Sequence, residues 1–197
     1  AIDILAQAYM DGDHNIGHMI NVLFNSDFFK KAQFTRIKGP AELVAGTMRL
    51  SGGITKPLLE IVPDSSLPSY MGQTLLNPPS VEGWHEGTEW INSGSLIERV
   101  NFAAKEISDI SKPGVRAIID ILASTDGGQL TPEVIVDMCL EIMGTGNVDR
   151  ETRDSLVGMM AEKGSISLAG HQQGDDSEER VGELLGLIAS TTEYQIN

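Results

Sequence analysis

The stretch Gly72-Gln-Thr-Leu-Leu-Asn77-Pro-Pro-Ser-Val-Glu82-Gly-Trp84-His-Glu-Gly-Thr-Glu-Trp90-Ile-Asn92-Ser-Gly-Ser-Leu96-Ile-Glu-Arg99-Val-Asn-Phe102 decides how the rest of this chain is read. Its first part holds Pro78 and Pro79, both tryptophans of the protein, Trp84 and Trp90, and the turn-prone Gly83 and Gly87. From Asn92 onward the pattern changes. Leu96, Ile97, Val100, Ala103, Ala104 and Ile107 recur at spacings of three and four, the mark of an amphipathic helix. A connector as long as 75–93 inside a compact domain is functional or heavily packed. The expectation is an ordered loop pinned by its rings against helices.

Helical periodicity continues on both sides. Ile16, Met19, Ile20, Leu23 and Phe24 form one stripe, and Val181, Leu184, Leu185 and Ile188 another. Ile118, Ile119 and Leu122 line a further face, as do Ile135, Met138, Cys139 and Ile142. Such stripes bury against other helices. Boundary signals agree. Gly39-Pro40 opens a helix over 40–51, with Pro40 where its missing N–H is harmless, and Gly52-Gly53 closes it. Thr131 caps a helix starting at Pro132, which Gly144 ends, and Asp176 with Glu179 has capping-box spacing before the last helix. Strand signals are poor. Residues 54–62 could hold a short extended piece, but Pro57 and Pro63 argue for an irregular loop. The polar stretch 170–176 reads as a mobile loop. The fold class is therefore all-α: an irregular helical bundle with one long ordered loop containing proline and tryptophan. At 197 residues it reads as a single helical domain over 1–197, with two lobes, 1–110 and 111–197, as a further option.

The net charge of −14 lies mostly in the second half: residues 1–112 carry nine Lys/Arg and thirteen Asp/Glu, and residues 113–197 five and fifteen. That field disfavours nucleic acid, whose binding rests on cations neutralising phosphates. The one basic cluster, Lys30, Lys31, Arg36 and Lys38, reads as a solvated face. No apolar run approaches the ~20 residues of a membrane-crossing helix, so no membrane insertion is expected in this segment. The chain starts inside an apolar periodic pattern, as a processed fragment would, and no signal peptide is visible in it.

Four groups of residues carry possible chemistry. His14 and His18 stand four apart, the spacing of zinc ligands on one helix face, although Asn15 occupies the position where a hydrolytic motif has Glu. The competing reading is an ordinary helix start capped by Asp11 or Asp13. Trp84, His85, Glu86, Glu89 and Trp90 resemble a sugar site, with two aromatic platforms and a carboxylate pair as possible catalytic groups. The competing reading is a pair of indoles anchoring the loop. Asn92 and Arg99 are polar positions within the same stretch. Arg99 is expected to fix the loop, by bridging carbonyls or by pairing with Glu82, Glu86 or Glu89. Cys139, the only cysteine, lies on an apolar stripe and reads as an inert thiol. Gly144-Thr-Gly146 lacks the strand and lysine of a phosphate loop, and no cofactor is expected.

The residues also resemble a known family. Asn77-Pro-Pro-Ser-Val-Glu-Gly-Trp84, Trp90-Ile-Asn92 and Leu96-Ile-Glu-Arg99-Val-Asn101-Phe are similar to the bacterial domain of unknown function 1800. Leu23-Phe-Asn-Ser-Asp-Phe28-Phe, Ile37-Lys-Gly-Pro40-Ala-Glu42 and Ser190-Thr-Thr-Glu193-Tyr194-Gln resemble its other segments, in family order. The resemblance implies the C-terminal part of a longer exported bacterial protein, placed in the periplasm or outside the cell. It also implies a possible partner from an uncharacterised sulfatase-like family encoded nearby. It supplies no reaction. The preferred expectation is a non-catalytic domain with an assembly or binding role at the cell envelope, because no acid–base pair, nucleophile or metal cluster meets a strict spacing rule. The alternative is a hydrolase acting on a glycan near Trp84–Trp90.

Overall fold

A computed structural model describes residues 1–53, 66–162, 164, 166–168 and 176–196. Among these residues the chain forms ten α-helices, three short 3-10 turns and one two-stranded sheet, so the fold is mostly helical. The extended piece considered at 54–62 lies outside the described residues, as does the polar stretch apart from Asp176. The chain divides into two compact units, residues 1–36 and 37–196.

The first unit contains α1 (Ile2–Asp11), α2 (Ile16–Asn25) and the single turn α3 (Asp27–Lys30). Residues 12–15 fold α2 back onto α1, with Asp13 and His14 both at positive φ. Asn15 caps α2 by accepting the amide of His18 at 3.1 Å. The sequence pointed to Asp11 or Asp13 for that role. Asp11 instead accepts the side-chain amide of Gln7. The α2 stripe does not bury as a whole: Ile16, Ile20 and Phe24 are exposed, and Ala8 is the only buried residue among 1–36.

The second unit begins with α4 (Pro40–Ser51). Pro40 stands at its first position, and Glu42 turns back to accept the Gly39 amide. Gly52 ends it in the left-handed conformation, where a side chain would be strained. A single helical turn, α5 (Leu67–Tyr70), leads to the long loop. Then come α6 (Ser93–Ser108), α7 (Pro113–Ser124), α8 (Pro132–Ile142), α9 (Arg150–Glu162) and α10 (Asp176–Ala189). Thr131 caps α8, whereas Asp176 is the first helical residue of α10 rather than a cap ahead of it.

One core joins these helices. Val115, Ile118, Ile119 and Leu122 of α7 meet Ile135, Val136 and Cys139 of α8 and Val181, Leu184, Leu185 and Ile188 of α10. Ala103 and Ile107 of α6, Leu43 and Val44 of α4, and Leu156 and Met160 of α9 complete it. Two close approaches set its geometry. A Cβ built on Gly114 would lie 1.9 Å from the carbonyl oxygen of Leu50, so α7 can start against the end of α4 only with glycine there. On α10, Gly182 faces the Ser108 carbonyl and Gly186 the Ala104 carbonyl, letting α10 lie close along α6.

A small sheet, β1 (Gln129–Leu130) with β2 (Ile166–Ser167), runs antiparallel in the register Leu130 to Ile166. Sequence periodicity gives no sign of it, because two residues per strand is too short for alternation to register. Leu130, Ile166 and Leu168 bury their side chains there.

Candidate functional site

The loop beginning at Met71 is held at its two ends. At the first end Met71 is buried, and the side-chain carbonyl of Gln73 accepts the Ala41 amide at 2.8 Å. At the other end Trp90 is only 7% exposed, and Ser95 donates its hydroxyl to the Trp90 carbonyl at 2.6 Å. Asn92 is the N-cap of α6. Its side chain accepts the amides of Gly94 and Ser95, and its own amide bonds back to Ser95 Oγ. A position read as a possible binding residue is thus a helix cap. Between these anchors the loop is exposed. Leu76 is 97% exposed, and Pro78 and Pro79 also face solvent. The expected pinning along the whole connector is therefore corrected: its ends carry it. Trp84 is half-buried and donates its indole N–H to the Thr74 carbonyl at 3.2 Å, so it staples the loop onto itself.

The two indoles accordingly do not form a pair of exposed platforms. Trp90 points into the protein while Glu86 and Glu89 are exposed. His85 Nδ1 lies against the Glu89 carboxylate on the surface. That contact ties Glu89 to its own turn.

Arg99 is the centre of a different arrangement. It sits on the buried face of α6 formed by Ser95, Arg99, Ala103 and Ile107, while Leu96 and Ile97, expected inside, are exposed. The guanidinium is fully buried. Nη2 donates to the Lys38 carbonyl at 2.7 Å and Nε to Oε1 of Gln195 at 3.0 Å. Its partners are therefore not Glu82, Glu86 or Glu89. Burial pulls the Arg99 pKa below its ordinary value, and the negative charge of Glu42 works the other way. Nη1 has no acceptor among the described residues.

The same cluster ties down the C-terminal segment. Lys38 donates its ammonium to the Tyr194 carbonyl at 2.8 Å, with Nζ 4.7 Å from the centre of the Tyr194 ring. Its amide donates to the Gln195 carbonyl, and Ile37 bridges Ile196. Tyr194 OH and Thr47 Oγ1 share a hydrogen bond of 2.9 Å, and burial raises the phenol pKa. Lys38 is thus part of a packed polar cluster, not of a solvated basic face. Composition placed it with Lys30 and Lys31 because charge runs report sequence neighbours and not contacts. Nearby, Glu106 accepts from Ser51 and from Lys112. Farther along, Arg116 grips the fully buried Glu178 with two bonds of 2.6 Å. No spacing rule marks pairs that lie so far apart in the chain.

His14 and His18 do not share a helix face. His14 precedes α2 at φ 64° and sets its ring edge-on to Tyr9, whereas His18 lies within the helix. The turn formed by Asp13 and His14 defeats the four-residue spacing. Among the described residues no three His, Cys, Asp or Glu side chains gather as metal ligands would. Cys139 is fully buried, and desolvation pushes its thiol up to about 12.

Helices fastened by a buried arginine, tyrosine and glutamine and a half-buried lysine define a helical domain whose most distinctive polar residues hold its own segments together. The chain belongs to the family described as "Protein of unknown function (DUF1800)", whose model matches residues 1–196. No curated protein and no solved structure gives a significant match.

Proposed function

We propose that this chain is a non-catalytic helical domain of an exported bacterial protein, acting in assembly or binding at the cell envelope. One observation carries the non-catalytic part. The residues that make the sequence distinctive, Lys38, Glu42, Trp90, Asn92, Arg99, Tyr194 and Gln195, spend their polar groups or their bulk on one another and on backbone. Hydrogen bonds spent within the protein rigidify a fold, whereas a catalytic constellation presents groups toward a substrate. The compartment, and a partner from the sulfatase-like family, rest on the resemblance alone.

Two measurements test the proposal. Purified protein is incubated with a panel of polysaccharides and peptidoglycan while released reducing ends are followed. No turnover is expected. Hydrolysis that disappears in Glu86→Gln or Glu89→Gln would replace this reading with that of a glycan hydrolase. Fractionation of the native host should place the protein in the periplasm or the medium. Recovery in the cytosol would overturn the compartment.

A further inference from the structure

Ile16, Ile20 and Phe24 recur every fourth residue along α2, and Ile2, Ala6 and Met10 do the same along α1. Residues at that spacing line one side of a helix. The contact between the two helices runs through Leu5, Ala8 and Tyr9 on α1 and Met19, Val22 and Leu23 on α2, the residues that are buried or half-buried. At 100° per residue, both four-residue stripes lie on the same flank of that contact, because the second helix runs back along the first. The opposite flank is a groove where Asp3, Gln7, Asp11 and His18 stand beside Ile4, Ala8 and Val22. The hairpin therefore has a polar-edged side and an apolar side. On the apolar side Ile2 is 83% exposed and Ile16 60%. Two ten-residue helices with one buried residue between them are too short to be stable alone in water.

We infer that this apolar face is the self-association surface of the protein, with a second copy of the chain laid antiparallel across it to form a four-helix bundle. Charge selects the partner. Residues 37–196 carry eleven Lys/Arg against twenty-four Asp/Glu, so two copies repel each other through that unit. Residues 1–36 carry three against four and are nearly neutral. Within the hairpin the charge is split by end. The turn end has Asp11 and Asp13 and no Lys or Arg. Lys30 and Lys31 follow α2 at the far end, with Asp27 between them and α2 and Asp3 at the start of α1. An antiparallel pair brings each acidic turn toward Lys30 and Lys31 of the other copy. Covering the face on both copies removes on the order of 1,000 Å², the lower bound of a specific interface. This inference uses residues the proposed function does not, so either can fail alone.

The test uses the full chain in a sedimentation-velocity concentration series. A dimer is expected. Ile20→Glu places a charge at the centre of the face and should weaken the dimer at least about tenfold with helical circular dichroism unchanged. Should that variant misfold, cysteine cross-linking serves. Ile20 is the middle residue of its stripe, so it lies close to the two-fold axis. Ile20→Cys should oxidise to a covalent dimer, undisturbed by the buried Cys139. Phe24→Cys lies at one end of the stripe and should not. A monomer at every concentration would overturn the inference, as would cross-linking at Phe24→Cys equal to that at Ile20→Cys. So would an assembly that Ile20→Glu leaves intact.

Discussion

Arg99 Nε donates to Gln195 Oε1 at 3.0 Å across a sequence separation of 96 residues. The bond joins the second turn of α6 to the last described turn of the chain, and Nη2 of the same guanidinium holds the Lys38 carbonyl ahead of α4. Three segments are fastened by one side chain. Arg99→Ala should cost about 3 kcal/mol or more, because it leaves buried acceptors unpaired and a cavity behind. Arg99→Lys should cost less but remain well below wild type, since a single ammonium cannot reproduce the planar fork. Urea unfolding midpoints of the three proteins give the order.

Two glycine substitutions should move stability in opposite directions. Gly114→Ala drives a methyl into the Leu50 carbonyl, which is backbone and cannot step aside. The expected loss is about 3 kcal/mol or more. Gly158 lies in α9, where an added methyl would meet nothing within 4 Å, and Gly158→Ala should gain about 0.5–1 kcal/mol by restricting the unfolded chain. Thermal unfolding of both variants checks the contrast.

Cys139 should not react with a disulfide reagent at neutral pH in the native protein. Burial pushes its thiol up to about 12 by disfavouring the thiolate, and the thiolate is the reactive form. Labelling should proceed only at the rate of global opening and become fast in denaturant. Rapid native labelling would mean that α8 opens on its own.

The two tryptophans should differ in fluorescence quenching. With Trp84→Phe, the remaining Trp90 is buried and should resist acrylamide. With Trp90→Phe, the half-buried Trp84 should be quenched readily. Equal quenching would contradict the anchored end of the loop.

Acid should weaken the fold through hydrogen-bonded carboxylates. Bonds from Ser111 hold Asp109 below the ordinary aspartate range, and the bond from Arg153 does the same for Asp137. A lowered folded-state pKa gives stability that is complete above the unfolded value of about 3.9 and is lost as pH falls through the folded value. Asp137→Asn should therefore be less stable than wild type at neutral pH, with the gap closing below about pH 4. Urea titrations at several pH values read it directly.

Much of the fold was legible because helix boundaries and core faces are local. Pro40, Gly52 and Thr131 mark ends that the structure keeps, and the α7 and α10 stripes bury as their spacing implies. The candidate sites were less legible. The sugar reading needed two exposed rings, and only the structure tells that Trp90 turns inward while Trp84 closes onto Thr74. The histidine reading needed a continuous helix, and the positive φ at His14 interrupts it. The α6 stripe was misplaced because the buried face includes an arginine, which hydropathy counts as an outside residue.

The sequence by itself determined a mostly helical chain, the helix ends at Pro40, Gly52 and Thr131, and the burial of its cysteine. Each follows from backbone sterics or from apolar spacing within a few turns. Only the tertiary structure decided that Lys38, Arg99, Tyr194 and Gln195 meet, because hydrogen bonds between distant segments leave no periodic trace in the chain. It likewise decided which amphipathic stripes are covered. The stripe of α10 and that of α2 share one spacing, yet Leu184 is buried and Ile16 is not, since burial depends on what packs alongside.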